Sequence, residues 1–247
     1  MNHINNSIVF LYGKDHGGFG DFIKSLKMYI NYSIKINNKI CIHIENTSIK
    51  DMIIIKDKYK YKNNKTNVHF LKTPTIIAND KSWTTMNPTI CEISLLDYIS
   101  FNDVIYKRYE ETMKNIKLYN CIHIRRGDKY GNKSFPGRND DRRKGKDIDS
   151  IMGNIIKKNG DIPLILVSDN INIKKYISEK YKVIVSNINI VHLDSQYSKN
   201  ITHKNLDIID NLTEYLILCK ANTIHSIGLS GFSYTASWFY KNKILFY

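Results

Sequence analysis

The 247-residue chain is short of the residues that punctuate regular structure, with 12 glycines and only 4 prolines. That scarcity excludes collagen-like and Pro/Gly-rich low-complexity character, and no internal repeat is visible. Cysteine is equally sparse. Cys41, Cys91, Cys121 and Cys219 stand far apart with no Cys-x-x-Cys pair, so they read as small core residues of a reducing compartment. No run reaches the roughly 18 apolar residues that a membrane-spanning helix needs. The stretch from Met1 to Ser7 is polar and lacks the basic-then-apolar pattern of a signal peptide, so a cytoplasmic protein without a membrane anchor is expected. Acidic charge is also in deficit: 23 Asp and Glu face 37 Lys and Arg, a net charge of +14 that favours an anionic ligand or partner. What remains is ordinary for a globular chain, 42% hydrophobic and 24% charged, and long enough for one large domain or two small ones.

The apolar residues alternate between strand-length runs and helical spacing. Ser7 to Tyr12 is a strand, followed by a glycine-rich turn and a helix. Asp21 stands at the cap of that helix, and Phe22, Ile23, Leu26, Ile30 and Ile34 form its apolar face. Lys39 to Ile44 is the next strand. Residues 51–100 are less regular, with strands expected at Met52–Ile55, Val68–Leu71 and Thr75–Ile77, and a helix or two follows between Leu95 and Leu118. The pattern then restarts: strands at Cys121–Ile124 and Pro163–Asn170, the latter with polar residues at its carboxyl end, a helix from Ile173 to Tyr181, and a strand at Lys182–Ser186. A helix from Asp207 to Cys219, a strand at Thr223–Ile227 and a helix from Ser230 to Tyr240 complete it. Strand–helix alternation recurs in both halves and predicts an α/β protein with parallel sheets.

The segment Asn120-Cys121-Ile122-His123-Ile124-Arg125-Arg126-Gly127-Asp128 is the most informative. A short apolar strand delivers two arginines, a turn-forming glycine and an aspartate to its carboxyl end. Guanidinium groups match phosphate geometry, and carboxyl ends of strands are where open α/β sheets bind ligands. A nucleotide diphosphate site is one reading; a solvated turn with Asp128 paired to an arginine is the other. The lysine-rich stretch Lys56, Lys58, Lys60, Lys62 and Lys65, interleaved with Tyr59 and Tyr61, reads as a solvated edge more than as a nucleic-acid strip. Residues 129–146, rich in charge and turn formers, will not form a regular element.

The wording His-x-Arg-Arg-Gly-Asp-x-Tyr resembles the first motif of α-1,2-fucosyltransferases, within the wider family of GDP-fucose-dependent fucosyltransferases. Three further patches resemble that family in the same order. Gly17-Gly18-Phe19-Gly20-Asp21 is similar to its Gly-Gly-Leu-Gly-Asn-Gln turn, and Val167-Ser168-Asp169-Asn170 to the strand end beside the nucleoside. Leu216-Ile217-Leu218-Cys219-Lys220-Ala221 followed by Ser226-Ile227-Gly228-Leu229-Ser230-Gly231-Phe232-Ser233 is similar to its Cys-Lys-His helix and Ser-rich turn. The family's histidine after Cys-Lys is replaced here by Ala221.

The resemblance implies a GT-B-like fold, two Rossmann-like domains facing a central cleft, with an acceptor-side domain in 1–118 and a donor domain in 119–247. It implies transfer of fucose from GDP-fucose to a glycan hydroxyl with inversion, α-1,2-linked, with no metal and no cofactor beyond that co-substrate. Arg125, Asp128 and His123 take the catalytic roles in this reading. Gly18, Phe19, Gly20, Arg125, Arg126, Ser168, Asp169, Asn170, Asp210, Glu214, Ser230, Gly231, Phe232 and Ser233 bind the donor. The partners expected are a nucleotide-sugar donor and a glycan acceptor, with no nucleic acid. The rival readings are a glycosyltransferase using another nucleotide sugar and a basic nucleic-acid-binding protein.

Overall fold

The structure is a computed structural model that describes residues 7–12, 19–45, 49–61, 68–72, 93–114, 116–125, 147–186, 188, 205–228 and 230–247. It divides into two compact units, Met1–Asp103 with Leu193–Asn205 and Val104–His192 with Leu206–Tyr247.

In the first unit, β1 (Ser7–Tyr12) leads to α1 (Phe19–Lys35) and β2 (Lys39–Ile44). After β3 (Ile53–Ile55) comes β4 (Val68–Lys72), and the sheet order is β2-β1-β4. Both pairings are parallel, Ser7 opposite Lys39 and Ser7 opposite Val68. This is the strand, turn, helix, strand unit expected from the alternation. The apolar stripe of α1 closes the sheet: Phe22, Ile23, Leu26 and Ile30 are fully buried. Phe22 lies 4.7 Å from the ring of Tyr12 and 6.0 Å from that of Phe10, which in turn sits 5.4 Å from Tyr29. The helix begins at Phe19, three residues ahead of the position expected, so Asp21 lies in its first turn instead of capping it, where its charge still suits the positive helix end. A small antiparallel ladder joins β3 to β5 (Ile99–Phe101). That strand falls within the stretch where helix was expected; only α2 (Asp103–Met113) is helical there, beside a short 3₁₀ turn at Leu95–Asp97. The expected strand at 75–77 lies outside the described residues.

The second unit is built on β6 (Asn120–Ile124), which is buried along its whole length. It is followed by α3 (Ile148–Asn159), β7 (Leu164–Ser168), α4 (Ile171–Lys180) and β8 (Ile184–Val185). Then come α5 (Asn205–Lys220), β9 (Thr223–Ile227), α6 (Gly231–Tyr240) and β10 (Lys243–Phe246). The five strands are all parallel, in the order β10-β9-β6-β7-β8. Chain order runs outward from β6 through β7 to β8 on one side and resumes at β9 on the other. The crevice between β6 and β9 is therefore the point where the winding reverses. Sheets buried on both faces need continuous apolar strands, and β6 and β7 supply them. Ile122 and Ile124 pack with Met152, Ile155, Leu166, Ile177 and Ile227 on the α3–α4 face.

The sequence pattern assigned no element to α3 or β10. The first is announced by Asp147, whose carboxylate accepts from the amides of Asp149 and Ser150. The second is a short edge strand with no residue fully buried. Helix α5 is buried throughout from Asp210 to Cys219, so Asp210 and Glu214 do not lie on a solvated face, while Asp207 is half-buried. Cys121 and Cys219 are free and buried, as small core residues are, while Cys41 is partly exposed. The lysine-rich stretch is exposed from Lys56 to Lys58 and at Lys60 around a 3₁₀ turn, and Lys60 bridges to Ile42 at the edge of β2. No helix among the described residues is long and apolar enough to cross a membrane.

Candidate functional site

The parallel register of the second sheet brings three strand ends level. His123 of β6 lies opposite Val167 of β7 and Ser226 of β9; Ile124 lies opposite Ser168 and Ile227. The next residues of the three strands are therefore neighbours along one edge: Arg125, Asp169 and Gly228. Arg125, at the end of the central strand, is partly exposed. Gly228 has φ of +89°, a conformation that favours glycine and lets the chain turn from β9 toward α6.

The β7 end is tied to β6 directly. The hydroxyl of Ser168 donates to the Ile124 carbonyl at 2.7 Å and accepts from the Asn170 amide at 3.2 Å. Asn170 caps α4, its side-chain oxygen taking the Ile173 amide at 3.0 Å. Ser168 and Asn170 thus have structural bonds of their own, and between them they hold Asp169 at the strand terminus.

The β9 end carries a nest of hydroxyls. Ser230 caps α6 by accepting from the Phe232 amide at 3.3 Å. Ser226 and Ser233 share a hydrogen bond of 2.8 Å, and Ser226 also donates to the Gly228 carbonyl at 2.9 Å. The turn therefore presents a helix amino terminus beside Arg125's strand, an arrangement that suits an anion. Phe232 fixes the near side of α6, 4.8 Å from Tyr215 and 5.9 Å from His123 between ring centres.

His123 is buried, with its Nδ1 lacking a hydrogen-bond partner among the described residues. Burial drives its pKa down to about 4; Asp169 opposes the shift and Arg125 adds to it. The ring is therefore neutral at physiological pH, and the positive charge at this strand end belongs to Arg125.

The acidic candidates on α5 already have partners. Asp210 accepts from Arg108 of α2 at 3.0 Å. Glu214 is fully buried and paired with Lys174 of α4 at 2.7 Å. Arg108 and Lys174 were not among the residues singled out from sequence. For Lys174 the available signal is its place three residues before Ile177, on the inward stripe of α4. Phe19 and Gly20 open α1 in the first unit, where Phe19 is core, 5.7 Å from Phe22 and 6.4 Å from Phe101. The structure thus brings together His123, Arg125, Ser168, Asp169, Asn170, Ser230, Gly231, Phe232 and Ser233. Gly18, Arg126 and Asp128 lie outside the described residues. No cluster of three His, Cys, Asp or Glu side chains suited to a metal occurs among the described residues.

No protein-family model matches this chain, and no curated protein matches it. Solved structures do. The NodZ α-1,6-fucosyltransferase soaked with GDP-fucose is similar over 95% of this chain and 92% of NodZ, with a TM-score of 0.55 and 10% identity. Fucosyltransferase NodZ from Bradyrhizobium gives 0.51 at 12% identity, over 94% of this chain and 92% of that one. A mutant of Arabidopsis thaliana FUT1 in complex with GDP gives 0.55 at 12% identity, over 98% of this chain and 70% of that one. The likeness is one of fold. At these identities it establishes the shared α/β architecture of the chain and no more.

Proposed function

We propose that the chain is a glycosyltransferase that moves fucose from GDP-fucose to a hydroxyl of a glycan acceptor, with inversion and through an α-1,2 linkage. One observation carries the reading: Arg125, Asp169 and the Ser226–Ser233 turn meet at the carboxyl edge of a parallel sheet, at the reversal of its winding. Support comes from the fold neighbours, one of which was soaked with GDP-fucose and another solved in complex with GDP.

Transfer breaks the bond between the fucose anomeric carbon and the β-phosphate oxygen, and the electron pair leaves with GDP. The acceptor oxygen forms the new bond from the opposite face of the sugar and gives up its proton. The developing phosphate charge needs preorganised donors. Arg125 supplies one fork of them, Arg126 a second, and the amino terminus of α6 at Ser230 and Gly231 the remainder. Asp169 serves the nucleoside hydroxyls, and Asp128 orients the arginines or approaches the sugar. His123, neutral and packed on Phe232, supports the strand end without competing for the phosphate. In this reading residues 1–118 serve the acceptor and residues 119–247 the donor. The linkage rests on the wording of the Arg125 motif alone, since NodZ is named for an α-1,6 product.

A donor screen by mass spectrometry against simple galactosides tests the proposal. GDP-fucose should be consumed, by transfer or by slow hydrolysis, and GDP should raise the melting temperature more than UDP. Equal shifts with both nucleotides and no turnover of GDP-fucose would remove it; preference for UDP would favour another nucleotide-sugar donor. Linkage analysis of the product decides between α-1,2 and α-1,6.

A further inference from the structure

The residue that follows the edge strand β10 is bonded to the turn on which one side of the candidate site is built. Strand β10 pairs with β9, Leu245 opposite His225 and Phe246 opposite Ser226. Tyr247 carries the ladder one step further. Its amide donates to the Ser226 carbonyl at 3.0 Å, and its carbonyl accepts from the Gly228 amide at 3.3 Å. It therefore grips the chain on both sides of Ile227, where Gly228, with φ of +89°, turns toward α6.

The side chain fastens the same residue from a second direction. The Tyr247 hydroxyl and Nδ1 of His225 share a hydrogen bond of 3.0 Å, with ring centres 5.8 Å apart. Residues two apart on a strand share a face, so Leu245 and Tyr247 stand on the face of His225 and Ile227. There Tyr247 is half-buried against the core that contains Ile122, Ile124 and Ile227. Burial and the nearby Lys243 hold the His225 pKa below its ordinary value, so the ring is neutral at physiological pH and its nitrogen can accept from the phenol. Ser226 holds the turn in its own way, its hydroxyl bonding the Gly228 carbonyl and the Ser233 hydroxyl. Gly228 thus has its N–H held by Tyr247 and its C=O held by Ser226. Main-chain bonds at a sheet edge fray easily, and an anchored side chain keeps them closed.

We propose that Tyr247 is a positioning residue for the diphosphate of the donor: anchored on His225, it fixes the Gly228 turn and with it the amino terminus of α6 at Ser230 and Gly231. This rests on the nucleotide-sugar reading above. Tyr247 acts through Gly228 and makes no contact with the donor in this reading. Donors preorganised for a leaving phosphate lose their value when misaligned, and a displacement of about 1 Å costs a reaction about 10²-fold. Any residue supplies the amide and the carbonyl; the phenol is what reaches His225, so the side chain is what the test removes.

Steady-state turnover of GDP-fucose, calorimetric titration with GDP and thermal unfolding of each variant test the role. Tyr247→Ala should lower kcat about tenfold or more, with KM for GDP-fucose changed less than about threefold, since alignment counts most as charge develops. Tyr247→Phe keeps the ring in the core and loses the bond to His225. Its kcat should fall about three- to tenfold, at a melting temperature near that of wild type. Because the two side chains act as a unit, adding His225→Phe to Tyr247→Phe should lower kcat no further than the worse single variant. Ile155→Val, on α3 in the same core, should lower the melting temperature by about 2–5 °C with kcat unchanged. Should Tyr247→Ala fail to fold, Tyr247→Phe decides. A wild-type kcat in Tyr247→Phe, or an equal loss of kcat in Ile155→Val, assigns Tyr247 to stability alone and overturns the proposal, leaving the nucleotide-sugar reading intact. A wild-type protein that neither binds GDP nor turns over GDP-fucose overturns both.

Discussion

The two parallel sheets of this chain bury different things. The sheet of the first unit is closed by rings and branched chains: Phe10 and Tyr12 of β1 meet Phe22 and Tyr29 of α1 in tilted ring contacts. The sheet of the second unit buries Ile122, Ile124 and Leu166 in the same manner on one face. At its carboxyl edge it also encloses His123, Ser168, Ser226, Ser230 and Ser233, with Lys174 and Glu214 close behind. Apolar filling alone suffices to hold a parallel sheet, and every buried polar group costs free energy unless it is bonded. Their gathering at that edge is what the proposed donor site rests on.

The largest effect that sharpens this contrast is at Arg125. Arg125→Ala should lower fucosyl transfer by about 10²–10³-fold, the range for loss of one preorganised oxyanion donor, with the melting temperature little changed. Arg125→Lys keeps the charge but loses the fork and should stay well below wild type. Near-normal turnover in either would break the assignment. The converse is Phe22→Ala in the first unit, which should cost about 3–5 kcal/mol by denaturant unfolding. GDP affinity of the folded protein should persist, and a folded Phe22→Ala protein unable to bind GDP would erase the distinction between the units.

A subtler pair of effects separates the buried titrating groups. The folded pKa of His123 lies near 4, below its ordinary 6.5, so its contribution to stability rises with pH through that window. The folded pKa of Glu214 lies near 7, above its ordinary 4.5, so its contribution falls with pH between those values. The slopes oppose one another from 4.5 to 6.5. His123→Phe should make stability decline with rising pH across that range, and Glu214→Gln should make it increase, as read from urea midpoints. Slopes unchanged from wild type in both variants would remove these groups from the acid response.

The smallest effect is on the surface, where Asp149 accepts from Lys180 at 2.6 Å and from Tyr181 at 2.7 Å. Those bonds hold its pKa near 2, below the usual 3.8. Its stabilisation is complete above the higher value and lost as pH falls through the lower one. Asp149→Asn should therefore differ slightly from wild type at neutral pH and converge with it near pH 2; a gap that persists in acid would assign the effect to packing.

Strands with strong apolar runs were legible from sequence to the residue: Ser7–Tyr12, Lys39–Ile44 and Thr223–Ile227. Ile99–Phe101 was not, because three residues are too few to display a period, and its partner Ile53–Ile55 is remote in sequence. Arg125 stood out through the chemistry of its motif. Lys174 did not, since lysine on a short helix ordinarily faces water; its spacing from Ile177 is the one hint in sequence, and the partner on α5 shows the burial.

Local order in this protein is written in its amino-acid sequence. Apolar spacing determined which segments become strand or helix, and which strand ends carry an arginine, an aspartate or a run of small hydroxyl residues. Tertiary structure alone decided that those ends lie level, that His123 is dehydrated and neutral, and that Glu214 is gripped by Lys174. The reason is range: a periodicity is read over a few neighbouring residues, whereas the bond from Ser168 to Ile124 joins residues 44 apart. Such contacts, and the loss of water that accompanies them, exist only once the sheet has closed.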